Sequence, residues 1–480
     1  MKTPRRTGVL IIGAGLGGLG LGMRLKETGQ DDFVILERAD DIGGVWRDND
    51  YPGAACDIPA VLYSYSYEAD HPWSCDYPPQ AEILDYIRQV VTRRGVIGKI
   101  HLNTEVAEAK WDETRAIWRV WTRGGQLWEA RALVAAVGIF NHPVIPRIPG
   151  RDSFAGDAFH STDWRHDLDM GKGRWGVIGT GASAIQIVPE LVAAGADVTL
   201  FQRTAPYVMP KSLIAEGRDA KERQRIFDEF EERAGRRFDF EDTAQAQAGF
   251  VQMLAEIVPD PDLRAKLTPD FKLGCKRSLF SNDWYQSLQQ PNATVVTEAI
   301  SSIVPDGVQT GDGRLHPFDH IVYATGFDPA NYLPGMRIHG IGGTEIHAKW
   351  AEGAEAYLGI CVPDFPNFFL MFGPNTNVPG SVLVMLECQA DYIMKALHVA
   401  NSEGGAIVVR EKAMRDWCDQ AQEELLRSVN AASHCHSYYQ TASGRVVTNY
   451  PRTQGAYQRE TAQVNRTDFE VLDFALPSVG

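Results

Sequence analysis

One folding device occurs twice in this chain. A short apolar strand, a glycine turn, an amphipathic helix and a second apolar strand run from Gly8 to Arg38 (GVLIIGAGLGGLGLGMRLKETG, then DDFVILER). The same order returns from Arg174 to Arg203 (RWGVIGTGASAIQIVPELVAAG, then ADVTLFQR). Each is a βαβ unit, and two strands joined through a helix lie parallel in one sheet. Two copies predict two nucleotide-binding domains rather than one.

Between and after these units the pattern changes. From about Leu213 to Lys272 the chain is charged, with apolar residues at helical spacing (KERQRIFDEFEERAGRRF, then TAQAQAGFVQMLAEIV). Short strand patterns then resume at ATVVTEAISSIV and HIVYATGFD. The expected fold is α/β, with two Rossmann-like dinucleotide-binding domains and a helical insertion in the second. The expected division is a first dinucleotide-binding domain from 1–145 and 325–480, a second from 146–212 and 273–324, and the insertion at 213–272. The C-terminal third mixes Pro/Gly-rich loops with two helical runs, LVMLECQADYIMKALHVA and AMRDWCDQAQEELLRSV.

The 480 residues are enough for two or three domains with proper cores. A net charge of -15 argues against a general nucleic-acid binder, because phosphate contact needs a basic face. No stretch approaches the ~18 uninterrupted apolar residues of a spanning helix. No secretory signal is visible, since the apolar N-terminal run carries the glycine pattern and no cleavage-site logic. The seven cysteines (56, 75, 275, 361, 388, 418, 435) form no C-x-x-C pair. Reduced cytoplasmic thiols and no metal site are expected.

The first turn, Gly13-Ala14-Gly15-Leu16-Gly17-Gly18, supplies the tight bend, the close approach of backbone to a pyrophosphate and close helix–strand packing. Glu37 ends the next strand, where a carboxylate accepts hydrogen bonds from ribose hydroxyls. FAD and NAD both suit such a site. The second turn, Gly179-Thr180-Gly181-Ala182-Ser183-Ala184, ends its following strand not in an acid but in Gln202-Arg203. A carboxylate there repels a 2′-phosphate and an arginine fork pairs with it, so NADPH is expected over NADH.

Between the two units stands Phe154-x-Gly156-x-x-x-His160-x-x-x-Trp164. Alone, His160 reads as a satisfied structural histidine and Trp164 as core. Together, ahead of a second glycine turn, they resemble the fingerprint of Baeyer–Villiger monooxygenases. The resemblance extends over most of the chain. GGVWRDNDYPGAACDIPAVLYSYSYE is similar to the family segment beside the flavin that ends in an active-site aspartate, here Asp57. LTPDFKLGCKRSLFSNDWY is similar to the segment carrying the active-site arginine, here Arg277, with Lys276 beside it. FQRTAPYVMP, IVYATGFD, FPNFFLMFGPNT and CHSYYQTASGRVVTNYPRTQGAY are also family-like. This chain departs from the common family pattern at Val45, Arg165 and Tyr438, and no role is carried onto Tyr438.

The resemblance implies FAD at the first turn, with Gly13, Gly15, Gly18, Glu37, Trp46 and Asp57. It implies NADPH at the second, with Gly179, Thr180, Gly181, Ser183, Gln186, Arg203, Thr204 and Lys276. The reaction implied converts a ketone and molecular oxygen to an ester or lactone through a flavin peroxide anion and a tetrahedral (Criegee) intermediate. Such an anion needs a fixed positive charge, and Arg277 oriented by Asp57 is the catalytic candidate. His160 and Trp164 are expected at the interdomain linker rather than on substrate. The alternative is oxygenation of nitrogen or sulfur. A disulfide reductase needs a redox cysteine pair, and Cys56 and Cys75 are too far apart in sequence to suggest one. Which ketone is used, and the oligomeric state, stay open.

Overall fold

The computed structural model describes residues 3–211, 214–215, 217–236, 240–429, 437, 439–441 and 443–472. Its first sheet is built around the strand Arg5–Ile12, whose last six residues are all buried. That strand pairs in parallel with Phe33–Leu36 on one side and Leu127–Ala135 on the other. The full order runs Arg337–His339, Val106–Asp112, Ile117–Thr122, Leu127–Ala135, Arg5–Ile12, Phe33–Leu36, Ile100–His101, with Phe368–Leu370 also pairing to Leu127–Ala135. The stretch from Val106 to Ala135 is an antiparallel meander within this otherwise parallel sheet.

The second sheet has five strands, all parallel: Ala293–Val296, Asp197–Phe201, Arg174–Ile178, His320–Tyr323 and Asp157–His160. In both sheets the glycine turn leaves the C-terminal end of a central strand. Ligands of open α/β sheets bind at that edge.

Helices Ala220–Arg236, Phe240–Ile257 and Pro261–Leu267 occupy the charged stretch. They do not share one core. Ile226 and Phe230 of the first helix join the apolar cluster of the first sheet, with Ile11, Ile35 and Leu383. Phe250, Leu254 and Val258 join that of the second sheet, with Trp175, Val177 and Leu200. Half-buried Arg223 fastens the first helix further, donating from Nη1 to the carbonyls of Val61 (2.7 Å) and Ser64 (3.1 Å).

One expectation about the thiols fails. Cys275 is disulfide-bonded, while Cys56, Cys75, Cys361, Cys388 and Cys418 are free. Separation along the chain is no measure of separation in the fold, so spacing had not suggested a bond. Cys435 and Tyr438 lie outside the described residues. Among those described, no helix is long and apolar enough to cross a membrane.

Candidate active site

Two phosphate-type turns open onto one cavity of about 1540 Å³. Single small-molecule pockets usually span ~300–1,000 Å³, so this volume suits more than one ligand. Gly13 leaves its strand at φ +104°, and a Cβ there would lie 2.6 Å from the Ala136 carbonyl oxygen. Gly179 repeats this at φ +114°, with the Ala324 carbonyl oxygen 2.3 Å from the same imaginary atom. Both positions demand glycine. The helices that follow, Leu16–Glu27 and Ala184–Ala194, begin at Gly15 and Ser183 with no side-chain cap and no acid in the first turn. Uncapped N–H groups at the positive end of a helix suit phosphate oxygens. Both sites therefore fit the pyrophosphate of a dinucleotide.

The ribose ends differ as the residues require. Glu37 is buried, accepting from the Ala14 N–H at Oε2 (2.8 Å) and the Ala39 N–H at Oε1 (3.0 Å). Arg47 Nη1 stands 3.4 Å from Oε1, and its other face pairs with Asp48. Gln202 holds the equivalent place in the second unit, and Arg203, the next residue, is exposed. Lys276 lies near it, its ammonium 4.5 Å from the centre of the Phe271 ring. Burial lowers the Lys276 pKa; Asp270 opposes that and the Arg203 charge adds to it. Two cations gathered at one rim suit a doubly charged phosphate. Thr180 donates its hydroxyl to the Thr204 carbonyl (3.0 Å).

At the other part of the cavity, Arg277 Nη2 pairs with Asp57 Oδ2 at 2.5 Å across 220 residues of sequence. Their side chains are 40% and 21% exposed, so the pair sits in the cavity wall rather than in the core. Trp46 donates from its indole to the Tyr63 hydroxyl (2.9 Å), and the rings meet edge to face. Burial holds the Tyr63 phenol well above its usual range.

The fingerprint residues line none of this cavity. His160 is buried and bridges two stretches of chain. Its Nδ1 accepts from the Thr162 N–H (3.2 Å), so Nε2 carries the proton and donates to the Gly326 carbonyl (3.1 Å). Burial lowers its pKa, with the Gly326 bond opposing. Trp164 stacks on Trp175 at 5.9 Å and meets Phe159 edge-on. Phe154 packs beside the cluster of Ile178 and Phe201. Gly156 runs so close to Asp319 that a Cβ would lie 2.2 Å from its carbonyl oxygen.

Comparison with known proteins gives this geometry a family. Residues 10–216, which hold both turns, match the family described as pyridine nucleotide-disulphide oxidoreductase. A Baeyer–Villiger monooxygenase of Streptomyces coelicolor is 38% identical over 98% of this chain and 94% of that protein. The chain belongs to the Baeyer–Villiger monooxygenase family. A solved steroid monooxygenase bound to NADP superposes with a TM-score of 0.88 at 28% identity, covering 97% of this chain and 99% of that one. A structure of OTEMO in complex with FAD and NADP gives 0.89 at 25% identity, covering 98% and 100%. Membership makes the chain an FAD-containing, NADPH-dependent monooxygenase. The disulfide-reductase name reflects shared nucleotide domains: Cys56 is buried and Cys75 exposed, both free.

In this Baeyer–Villiger monooxygenase the expected cofactor and catalytic residues line the cavity, Gly18 apart. Gly18 does not: a Cβ there would lie 2.0 Å from the Gly13 carbonyl oxygen, so its part is to let helix and turn approach. Gln186 does line it, yet its amide is committed to protein. It accepts from the Tyr51 hydroxyl (3.0 Å) and donates to the Ala55 carbonyl (2.9 Å). Sequence reasoning missed Arg47, Tyr51 and Tyr63. Their signal lay in the GGVWRDNDYPG segment and the tyrosines after it, but which ring faces the cavity is a tertiary matter. Arg165, a departure from the family pattern, is paired with Asp157 (3.0 Å) and Asp167 (2.6 Å).

Proposed function

We propose that this chain uses NADPH and molecular oxygen to insert one oxygen atom beside a ketone carbonyl, giving an ester or lactone. The balance is ketone, O2, NADPH and a proton in; ester, water and NADP⁺ out. In this reading the Gly13 turn, Glu37 and Trp46 hold FAD. The Gly179 turn, with Thr180, Gly181, Ser183 and Thr204, holds NADPH, and Arg203 and Lys276 hold its 2′-phosphate. Reduced FAD, when bound, supplies the two electrons that activate oxygen.

The observation that carries the reading is the Arg277–Asp57 pair in the wall of the cavity both turns share. An arginine stays protonated at any working pH and stabilises negative charge developing on oxygen as a carbonyl carbon is attacked. Asp57 fixes the guanidinium plane and compensates its charge before substrate arrives. Electrophilic oxygenation of nitrogen or sulfur has less need of such a cation. His160 and Trp164, outside the cavity, act on the linker between the domains, with 1–145 and 325–480 forming one domain and 146–212 and 273–324 the other. Work in the cytoplasm fits the demand for NADPH. The test is product identification from a panel of linear, cyclic and aromatic ketones under ¹⁸O₂. Esters carrying one labelled atom are expected; N-oxides or sulfoxides alone, from amine and thioether controls, would overturn the assignment.

A further inference from the structure

We propose that Gln186 is a positioning residue that carries the state of the coenzyme site to the Asp57–Arg277 pair. The proposal rests on the reading of ketone oxygenation above.

Gln186 sits in the first turn of the Ala184–Ala194 helix, whose uncapped end faces the second phosphate turn. Gln186 itself takes the Tyr51 hydroxyl on its oxygen and gives its nitrogen to the Ala55 carbonyl. An amide offers an acceptor and a donor on two separate atoms of one side chain.

The segment it holds changes allegiance at that point. Tyr51 and Ala54 pack into the apolar cluster of the second sheet, while Cys56 and Ile58 pack into that of the first. The chain therefore crosses from one domain core to the other at Ala55, the residue whose carbonyl Gln186 grips. Contact there is close: a Cβ on Gly53 would lie 2.7 Å from the Gln186 carbonyl oxygen. On the far side the segment is tied to the first domain, with the Cys56 N–H on the Pro78 carbonyl (3.1 Å) and the Gln80 N–H on the Ala54 carbonyl (2.8 Å). His166 adds an outer contact to Asp50 (2.8 Å). Asp57 follows Ala55 by two residues, about 7 Å of extended chain. Any shift of the helix end on coenzyme binding is thus transmitted through a short, doubly anchored strap to the carboxylate that orients Arg277.

The experiment uses the full-length FAD-loaded enzyme with NADP⁺ as the probe. Amide exchange across Asp50–Ala60 reads the strap directly, and ester formed per NADPH consumed reads the pair. In the unmodified enzyme NADP⁺ is expected to slow exchange there about tenfold. In Gln186→Leu the slowing falls below about threefold although NADP⁺ still binds, with ester per NADPH down about fivefold or more and the missing oxygen recovered as hydrogen peroxide. Gln186→Glu keeps the acceptor for Tyr51, loses the donor to Ala55 and is expected to resemble the leucine variant. Tyr51→Phe removes one bond and keeps the ring, giving intermediate values. It decides the matter should Gln186→Leu fail to fold, and unchanged protection and coupling in Tyr51→Phe would then overturn the proposal. Equal protection by NADP⁺ in Gln186→Leu also overturns it. So does a tenfold loss of NADP⁺ affinity with coupling intact, which would make Gln186 a coenzyme ligand. An unmodified enzyme giving no ester from any ketone defeats the functional reading instead, and the exchange result stands apart from it.

Discussion

Removing the Arg277 guanidinium should separate chemistry from stability by a margin the structure lets one estimate. The Arg277–Asp57 contact is 2.5 Å long, but its members are 40% and 21% exposed. Partly exposed pairs contribute about 0.2–1 kcal/mol once solvent screening and side-chain entropy are counted. Arg277→Ala should therefore lower the melting temperature by no more than about 4 °C. Losing a preorganised donor to developing charge costs about 10²–10³ in rate, or roughly 2.7–4 kcal/mol. The chemical loss thus exceeds the structural one severalfold. FAD fluorescence follows unfolding, stopped-flow absorbance follows reduction by NADPH, and gas chromatography with a peroxide assay follows where the oxygen goes. The expected variant binds FAD, consumes NADPH and releases hydrogen peroxide in place of ester. Ester formation within about threefold of the unmodified rate would refute the reasoning, and so would activity lost only in proportion to lost FAD.

Three further outcomes follow from the geometry. Arg203→Ala should raise the KM for NADPH about 10- to 100-fold with little change for NADH, because charge-assisted bonds of about 1.5–3 kcal/mol act only on the 2′-phosphate; a parallel loss for both coenzymes would argue against that contact. Lys276 has its pKa lowered by burial, with Asp270 opposing and Arg203 adding to the shift. Its positive charge is present below that pKa and lost above it, so NADP⁺ affinity should begin to fall at a lower alkaline pH than for an ordinary lysine, and titration calorimetry of Lys276→Met should show that decline abolished. Gly179→Ala forces a side chain to φ +114° with its Cβ 2.3 Å from a backbone oxygen. Strain of about 1–3 kcal/mol or more should displace the turn, and NADP⁺ binding should weaken well before FAD binding does.

The two phosphate turns were legible because their cause is local. Whether Gly13 and Gly179 sit at positive φ depends on the few residues around them, and the contrast between Glu37 and Arg203 needs only the end of one strand. The helices at 220–257 were legible from periodicity, but not their division between two cores, which depends on surfaces that the segment itself does not contain. Arg277 and Asp57 were paired only through resemblance; no pattern within the chain measures the distance between residues 220 apart. Gln186 shows the limit most sharply. Its place after the second glycine turn suggested a coenzyme contact, and nothing in that place foretold the bonds its amide makes to Tyr51 and Ala55. Cys275 is a second case, bonded where spacing implied a free thiol. Thus the sequence by itself determined the turns, two of the helices of the charged stretch and the charge at each ribose end, since those follow from short-range sterics and residue type, while the class of chemistry came from family resemblance. Only the packing of two sheets on a shared strap decided which side chains meet, because a hydrogen bond is made by position in space and not by order along the chain.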